Sequence, residues 1–137
     1  MINIDGSQGE GGGQVLRSAL TLSLMTGKGV HIKNIRANRS NPGLRPQHLC
    51  AVRAAQSIGN GEVNGGKLGS TNLIFQPHTL QPGRYRFNIE TAGATTLVFQ
   101  TVFLPLSHAK TESSIKLTGG THVPWSPSYN YLEMQWL

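Results

Sequence analysis

Hydrophobic positions along the chain alternate between two spacings, which predict strands and helices in turn. An apolar–polar alternation over residues 1–5 is typical of a short strand, and a glycine-rich turn follows it. Leu16, Leu20 and Leu24 then recur every four residues. This spacing predicts a helix over about residues 14–25 that buries the three leucines on one face.

The alternation of strand and helix continues to about residue 80. Val30, Ile32 and Ile35 indicate a second strand, and a polar loop leads from it to a helix in which Pro46 suits the first turn. The remaining predicted elements are that helix at residues 46–58 and strands at 62–64 and 72–76. The first unit, residues 1–80, is therefore predicted to be βαβαββ.

From Arg84 the order of elements starts again. The predicted elements are a strand at 85–90, a long apolar helix at 95–108, a strand at 114–117 and a helix starting around Ser126. Two residue matches accompany this order, Asn3-Ile4-Asp5-Gly6 with Asn88-Ile89-Glu90-Thr91 and His31-Ile32-Lys33 with Ser114-Ile115-Lys116. Chance similarity of βα patterns is the alternative, but the shared order and spacing favour duplication. We expect residues 84–137 to form a second unit without its closing strand pair.

The last part of the chain is rich in large apolar side chains. These are Trp125, Tyr129, Tyr131, Trp136 and Leu137. They would bury a large area, yet no later segment follows to cover them. We expect either a missing partner segment or a second copy of the chain to cover this tail, or the final helix to dock back on the core.

Composition is consistent with one folded domain that has an anionic partner. Twelve Lys and Arg face six acids among 137 residues, for a formal charge of +6. The excess favours nucleic acid or nucleotide, although solvated side chains explain many basic domains. A single cysteine, Cys50, excludes an internal disulfide framework, and no apolar run approaches the ~20 residues of a membrane span. We expect a soluble, cytoplasmic protein with no membrane contact.

The glycine-rich turn at residues 6–13 is a candidate phosphate site. It lies between a strand and a helix, where backbone N–H groups and the helix dipole favour an anion. It matches neither GxGxxG nor GxxxxGK[ST], and its glycines also suit a tight turn without a ligand. Glu10 favours the functional interpretation, because one carboxylate beside a substrate phosphate is a usual magnesium arrangement. Arg17, about one helical turn downstream, is placed to meet the same phosphate.

A second candidate cluster surrounds the next strand-to-helix connection. Its members are Arg36, Arg39, Arg45, Gln47 and His48. Guanidinium groups suit bidentate recognition of phosphate, and a solvated basic loop is the alternative. For His48 a metal ligand, a phosphate contact, a proton donor and a helix cap all remain open. Both loops are expected at one edge of the sheet, so the two clusters would line one cleft.

Other residue types offer little chemistry. Gln100 lies in an otherwise apolar helix, where its amide needs partners that either a nucleotide or neighbouring backbone would supply. Cys50 has no obvious base nearby, and the five histidines lack the spacing of a metal module.

Three segments together resemble the RNA 3'-terminal phosphate cyclase family, in its N-terminal portion. They are residues 5–17, DGSQGEGGGQVLR; residues 35–44, IRANRSNPGL, followed by QHL at 47–49; and residues 119–127, GGTHVPWSP. The similarity runs along essentially the whole chain. Several motifs occurring jointly are far more specific than any single glycine pattern.

The resemblance implies an enzyme that uses ATP, with Mg²⁺ or Mn²⁺, to convert an RNA 3'-phosphate into a 2',3'-cyclic phosphate through adenylylated intermediates. It implies Glu10 as the metal carboxylate, and Gln100, Pro127 and Arg17 at the nucleotide. The RNA end is assigned to Arg36, Arg39, Gln47 and His48, with Arg45 added from the same basic cluster. The family's nucleophilic histidine lies much further along, so it is expected beyond Leu137, no catalytic residue is assigned here, and the isolated chain is expected to be inactive.

The resemblance also implies an α/β (α+β) fold. The family's large domain is built from repeats similar to the C-terminal domain of a bacterial translation initiation factor, each with two helices packed on a four-stranded sheet. Residues 1–80 would form one complete repeat of that domain, and residues 84–137 a truncated one. Two alternatives remain: a non-catalytic cyclase-like RNA-binding or ribosome-assembly protein, and a free-standing RNA-binding module.

Overall fold

The computed structural model describes the backbone of residues 1–136 and the side chains of residues 1–134. Within these residues it contains six strands and four helices. Their order is β1 (Ile2–Asp5), α1 (Gly13–Thr26), β2 (Val30–Lys33), α2 (Pro46–Ile58), β3 (Glu62–Asn64), β4 (Leu73–Gln76), β5 (Arg84–Asn88), α3 (Thr95–Ser107), β6 (Ser114–Thr118) and α4 (Tyr129–Trp136). The predicted α/β class is confirmed, and residues 1–80 have the predicted element order.

The strands form two separate sheets. In the four-stranded sheet the order is β1-β2-β4-β3, with β1 and β2 parallel and the other neighbours antiparallel. The second sheet contains β5 and β6, which are also parallel. Each parallel pair is joined through a helix, because parallel strands need a crossover connection. This arrangement brings the carboxyl ends of β1 and β2 to one edge.

One hydrophobic core serves both sheets. The predicted stripe of α1 is buried, with Leu16, Leu20 and Leu24 at most 8% exposed. Helix α3 packs against both α1 and α2, so Val98 and Val102 join the same core cluster as the residues of the first unit. The loops after β1, β2 and β6 are therefore held in one rigid framework.

Most predicted boundaries lie within two residues of the observed ones, and two of the differences have a clear local cause. Ile35 was predicted within the second strand, but β2 ends at Lys33 and Ile35 lies in the following turn with its side chain buried. The positive φ of Asn34, 55°, ends the strand. The last helix begins at Tyr129 instead of near Ser126, because the Ser128 hydroxyl accepts the Tyr131 N–H and caps the helix there.

The two predicted residue matches between the units are not compatible with the strand registers. Asn3 lies opposite His31 in the first parallel pair, whereas Asn88 lies opposite Thr118 and Ser114 lies opposite Arg84 in the second. The matches pair Asn3 with Asn88 and His31 with Ser114, so they cannot both hold. Each parallel pair is followed by a similar bond, from the Gly6 N–H to the Lys33 carbonyl at 2.7 Å and from the Ile89 N–H to the Thr118 carbonyl at 2.9 Å. Alternation permits such an error, because a shift of two residues keeps every side chain on its face.

No helix within residues 1–136 combines the length and the apolar character needed to cross a bilayer.

Candidate phosphate-binding cleft

The loops that follow β1, β2 and β6 meet around one cleft of about 770 Å³. It collects residues that were predicted from segments far apart in the sequence. Among those lining it are Glu10, Arg17, Arg36, Arg39, Gln47, His48, Gln100 and Pro127. Arg45 is the one predicted site residue that does not line it.

At Gly12 and Gly13 the glycine-rich loop lies so close to the cleft's side chains that there is no room for a side chain on either residue. A Cβ built on Gly13 would lie 2.6 Å from His48 Nε2 and 2.8 Å from Arg17 Nη1, and one on Gly12 would lie 2.8 Å from Arg39 Nη2. Gly12 also precedes α1 without any side-chain cap. The first N–H groups of α1 are therefore free of side-chain acceptors at the edge of the cleft.

Arg17 is a buried cation without a counter-ion among the described residues. Its side chain is 9% exposed, and its Nη2 donates to Gln14 Oε1 at 3.2 Å. Its Nε is buried and has no hydrogen-bond partner. Burial lowers the pKa of this guanidinium below its ordinary value. A buried charge with an unfilled donor is unfavourable by itself and is relieved by an anion that enters the cleft.

His48 is neutral and its tautomer is determined by a backbone contact. Its Nδ1 accepts the Arg45 N–H at 3.1 Å, so the ring proton is on Nε2, which lies against Gly13. Burial, together with the charges of Arg36, Arg17 and Arg45, lowers the pKa of His48 to about 3. Of the interpretations left open by the sequence, this geometry favours helix capping through Nδ1 and an N–H donor to phosphate through Nε2.

The three arginines of the second cluster have different surroundings. Arg36 donates through Nη1 to the carbonyls of Asn41, at 2.6 Å, and Gly43, at 2.9 Å, and so braces its own loop. The side chain of Arg39 has no hydrogen bond or ion pair within the described residues and is free to bind a ligand. Arg45 precedes α2 and acts on the cleft indirectly, since its N–H orients His48 and its charge lowers the pKa of His48.

Two glutamines connect the cleft to the second unit. Gln47 Oε1 accepts the Ala94 N–H at 2.8 Å, which ties the start of α2 to the loop before α3. Gln100 lies on α3 and also lines an adjacent groove of about 560 Å³ between α1 and α3. Gln47 therefore holds the two units together, whereas the Gln100 amide borders open space.

Among the described residues Glu10 is the only acidic one that lines the cleft, against the guanidinium groups of Arg17, Arg36 and Arg39. No cluster of three or more metal-ligating side chains occurs in the part of the chain that the structure describes. The side chains of the cleft therefore do not supply enough ligands to bind a metal ion by themselves. One carboxylate beside a phosphate site does fit a divalent cation that is also coordinated by the phosphate of a substrate.

Trp125, at the rim of the cleft, was not predicted from the sequence to be a site residue. Trp125 was assigned to the apolar tail, but it lines the cleft with its side chain 100% exposed. Its φ of 64° turns it outward, and the Ser126 hydroxyl donates to the Val123 carbonyl across this turn. An exposed indole beside a phosphate site is suited to stacking on a base. The only sequence signal was its place in the third family-like segment.

Comparison with known proteins identifies close relatives along nearly the whole chain. Residues 8–137 match the RNA 3'-terminal phosphate cyclase family. The chain is 53% identical to an RNA 3'-terminal phosphate cyclase of Archaeoglobus fulgidus over 97% of its own length and 40% of the relative's. It is 56% identical to the protein of that name from Staphylothermus marinus, over 96% and 37%, and 51% identical to that from Gloeothece citriformis, over 100% and 41%. The chain thus spans about 40% of the length of these relatives.

Proposed function

The chain belongs to the RNA 3'-terminal phosphate cyclase family, and on that basis we propose that its cleft binds the 3'-phosphate end of an RNA during ATP-dependent formation of a 2',3'-cyclic phosphate. The observation that carries this proposal is the buried Arg17, whose Nε lacks a partner. A phosphate in the cleft would accept from the guanidinium of Arg17, which lines the cleft, and would neutralise its charge.

The electrostatics of the cleft support a doubly charged ligand. Three guanidinium groups face it and only one carboxylate does. A terminal phosphate carries more negative charge than an internal phosphodiester, so this balance favours an RNA end. Arg39 and the His48 Nε2–H supply further donors, which stabilise charge that develops on phosphate oxygens during transfer.

Glu10 would hold the divalent cation, Mg²⁺ or Mn²⁺, and Gln100 and Pro127 would contact the nucleotide. Arg17 lines both the cleft and the groove between α1 and α3, so it would contact phosphate of the nucleotide as well as of the RNA end. When bound, the cation neutralises phosphate charge. The contribution of the chain itself is to hold two phosphate-bearing ligands in one cleft, since orientation removes much of the entropy barrier between reacting groups. Gln100 suits the nucleotide because its amide borders both the cleft and the groove between α1 and α3.

The proposed architecture is a pair of related repeats within a larger cyclase domain, residues 1–80 and 84–137. The support is the equivalent hydrogen bond that closes each parallel strand pair, Gly6 to Lys33 and Ile89 to Thr118. The fold of each repeat would be that of the initiation factor C-terminal domain. We also propose that a further segment, or a second copy of the chain, covers the aromatic tail.

A binding experiment tests the role of the cleft. Two fluorescent RNAs of one sequence, with a 3'-phosphate and with a 3'-hydroxyl, are titrated with the chain and followed by anisotropy. We expect the 3'-phosphate to improve affinity about tenfold at low salt, because its additional contacts release counterions. Arg39→Ala should remove this preference, while Arg53→Ala, on an exposed face of α2, should not.

The variant Arg17→Met tests whether Arg17 is needed for RNA binding and not for folding. Replacing a buried cation by an apolar side chain of similar volume is commonly neutral or stabilising by about 1 kcal/mol or more. We therefore expect this variant to keep or gain free energy of unfolding while losing the 3'-phosphate preference. Equal affinity of the natural chain for both RNAs contradicts the proposed function.

A further inference from the structure

The outward face of the second sheet carries a cluster of cations that the cleft does not use. Side chains of β5 and β6 alternate between half-buried and exposed positions. Tyr85, Phe87, Ile115 and Leu117 pack against the core. The opposite face carries Arg84, Arg86, Asn88, Ser114, Lys116 and Thr118, and none of these six is acidic. We call the three cations of this face, Arg84, Arg86 and Lys116, the basic sheet face.

These cations have no partners in the part of the chain that the structure describes. None of the three takes part in a side-chain hydrogen bond or an ion pair there. Glu90 and Glu112 lie beyond the strand ends and not on the face. Arg86 also lies directly opposite Lys116 in the strand register, a like-charge pairing that destabilises a sheet. Folding therefore gives no reason for these residues.

The first sheet shows that the architecture does not require this charge. In the first sheet the exposed face of the parallel pair carries Asn3 opposite His31, whereas the second sheet carries Arg86 opposite Lys116. On the same face of the first sheet, Asp5 lies opposite Lys33 and so offsets its charge. Only the second sheet concentrates cations without acids.

The basic sheet face is continuous with the cleft. The carboxyl ends of β5 and β6 lead into Ala94 and into the 123–127 segment, and both line the cleft. At about 3.3 Å per residue, the row of Arg86 and Lys116 lies roughly 7 Å below the strand ends and Arg84 roughly 13 Å. Arg84, Arg86 and Lys116 also line a shallow depression of about 580 Å³. A ligand leaving the cleft over this edge meets the cations one after another.

We propose that the basic sheet face binds the phosphate backbone of the RNA strand whose 3' end lies in the cleft. The inference rests on the proposed function, and it assigns a second contact region for the nucleotides that precede the 3' end. Backbone phosphates fit three exposed cations on a sheet because such contacts need charge and not base identity. The face therefore contributes affinity that grows with RNA length and is independent of sequence.

The test compares a 3'-phosphorylated mononucleotide with a 3'-phosphorylated single-stranded RNA of about twelve nucleotides. At about 3.4 Å per nucleotide the longer RNA spans roughly 40 Å and crosses the face, whereas the mononucleotide stays in the cleft. The variants are Arg86→Gln/Lys116→Gln and a matched control, Lys28→Gln/Lys67→Gln, which removes the same charge from residues outside the second sheet. Affinities are measured at several salt concentrations, with circular dichroism to confirm folding.

We expect the sheet variant to bind the longer RNA on the order of tenfold more weakly, with a salt dependence of log affinity shallower by about 1.4. Its affinity for the mononucleotide should equal that of the control. Equal losses in the sheet and control variants overturn the inference. So does a sheet variant that loses binding to polyglutamate but not to RNA, because the partner would then be an acidic polypeptide.

The affinity of Arg39→Ala for the same two ligands is also measured, so that failure of the inference can be told apart from failure of the proposed function. If Arg39→Ala weakens both ligands while the sheet variant changes neither, the inference fails and the proposed function stands. If removal of the 3'-phosphate and Arg39→Ala both have no effect, the proposed function fails, and with it the premise of the inference.

Discussion

His48 shows at the residue scale how burial and neighbouring charge determine chemistry. It is 8% exposed, and the charges of Arg36, Arg17 and Arg45 add to the effect of burial, so its pKa falls to about 3. The backbone N–H of Arg45 occupies Nδ1. In consequence His48 presents a neutral N–H donor to the cleft at physiological pH, and it neither carries a charge nor offers a free ring nitrogen there.

The depressed pKa of His48 predicts a specific dependence of stability on pH. Between about pH 6.5 and 3 the unfolded chain binds a proton at His48 that the folded chain does not. The free energy of unfolding should therefore fall as the pH drops through this window, by up to about 1.4 kcal/mol per unit from this group. Urea unfolding at pH 7, 6, 5 and 4.5 measures the slope.

His48→Gln is the matched variant for this prediction. Glutamine at the third position of α2 keeps an acceptor for the Arg45 N–H, as in a capping box, but it does not titrate. We expect the slope below pH 6.5 to become shallower in this variant. An unchanged slope means that other groups cause the acid sensitivity.

At the element scale, the glycine-rich loop and the start of α2 are fitted to each other. Gly12 and Gly13 leave space for Arg39, Arg17 and His48. Gln47 links the same end of α2 to the backbone before α3 through the Ala94 N–H. The cleft is therefore assembled from contacts between elements and not from one continuous motif.

Gly13→Ala should disturb this assembly, because there is no room for a side chain at this position. The new Cβ would lie 2.6 Å from His48 Nε2, so the ring and Arg17 must shift. Such overpacking costs about 1–3 kcal/mol. Thermal unfolding and 3'-phosphate RNA binding are measured together, and both should be impaired.

Gly83→Ala is the control for that variant, because the nearest atom to its new Cβ is 4.0 Å away. It should leave binding unchanged. If the two alanine variants bind RNA equally well, the close approach of the loop does not shape the cleft.

At the scale of the whole molecule, the two sheets share a core but leave one region partly uncovered. Helix α4 docks on the core through Leu132, which is 5% exposed. Tyr129, Tyr131 and Met134 are 47%, 53% and 81% exposed. Among the side chains of α4 that the structure describes, Leu132 alone is buried as expected for a docked helix. Exposed apolar surface of this kind suits a further interaction. The predicted contributions of the Trp136 side chain and Leu137 lie outside the described residues.

The arrangement of histidines predicts that this 137-residue chain forms no covalent adenylate. Among the described residues His48 is the only histidine that lines the cleft, and its ring is a buried hydrogen-bond donor without a free nitrogen. Incubation with labelled ATP and Mg²⁺ or Mn²⁺, followed by denaturing gel electrophoresis, should show no labelled protein. A stable phosphoramidate at any of the five histidines contradicts this.

The part of the fold that could be predicted is the part that depends on residue patterns within one segment of the sequence. The bounds of α2 were predicted correctly because Pro46 and the helical spacing both lie within one segment. Glu10, Arg17, Arg39 and His48 were expected in one cleft because loops after parallel strands meet at one sheet edge, and these four residues do line one cleft, whereas Arg45 does not. The two predicted residue matches between the units did not fit the strand registers together, since alternation alone does not distinguish registers that differ by two.

The sequence by itself determined the order of elements, the family, and the loops that carry the charged residues, because periodicity and motifs are properties of neighbouring positions. The tertiary structure alone decided that Arg17 is buried without a counter-ion, that His48 is neutral, and that Trp125 lies at the rim. These properties depend on atoms brought together from distant segments. Burial, hydrogen-bond partners and electrostatic fields arise only when the chain has packed, so no local pattern encodes them.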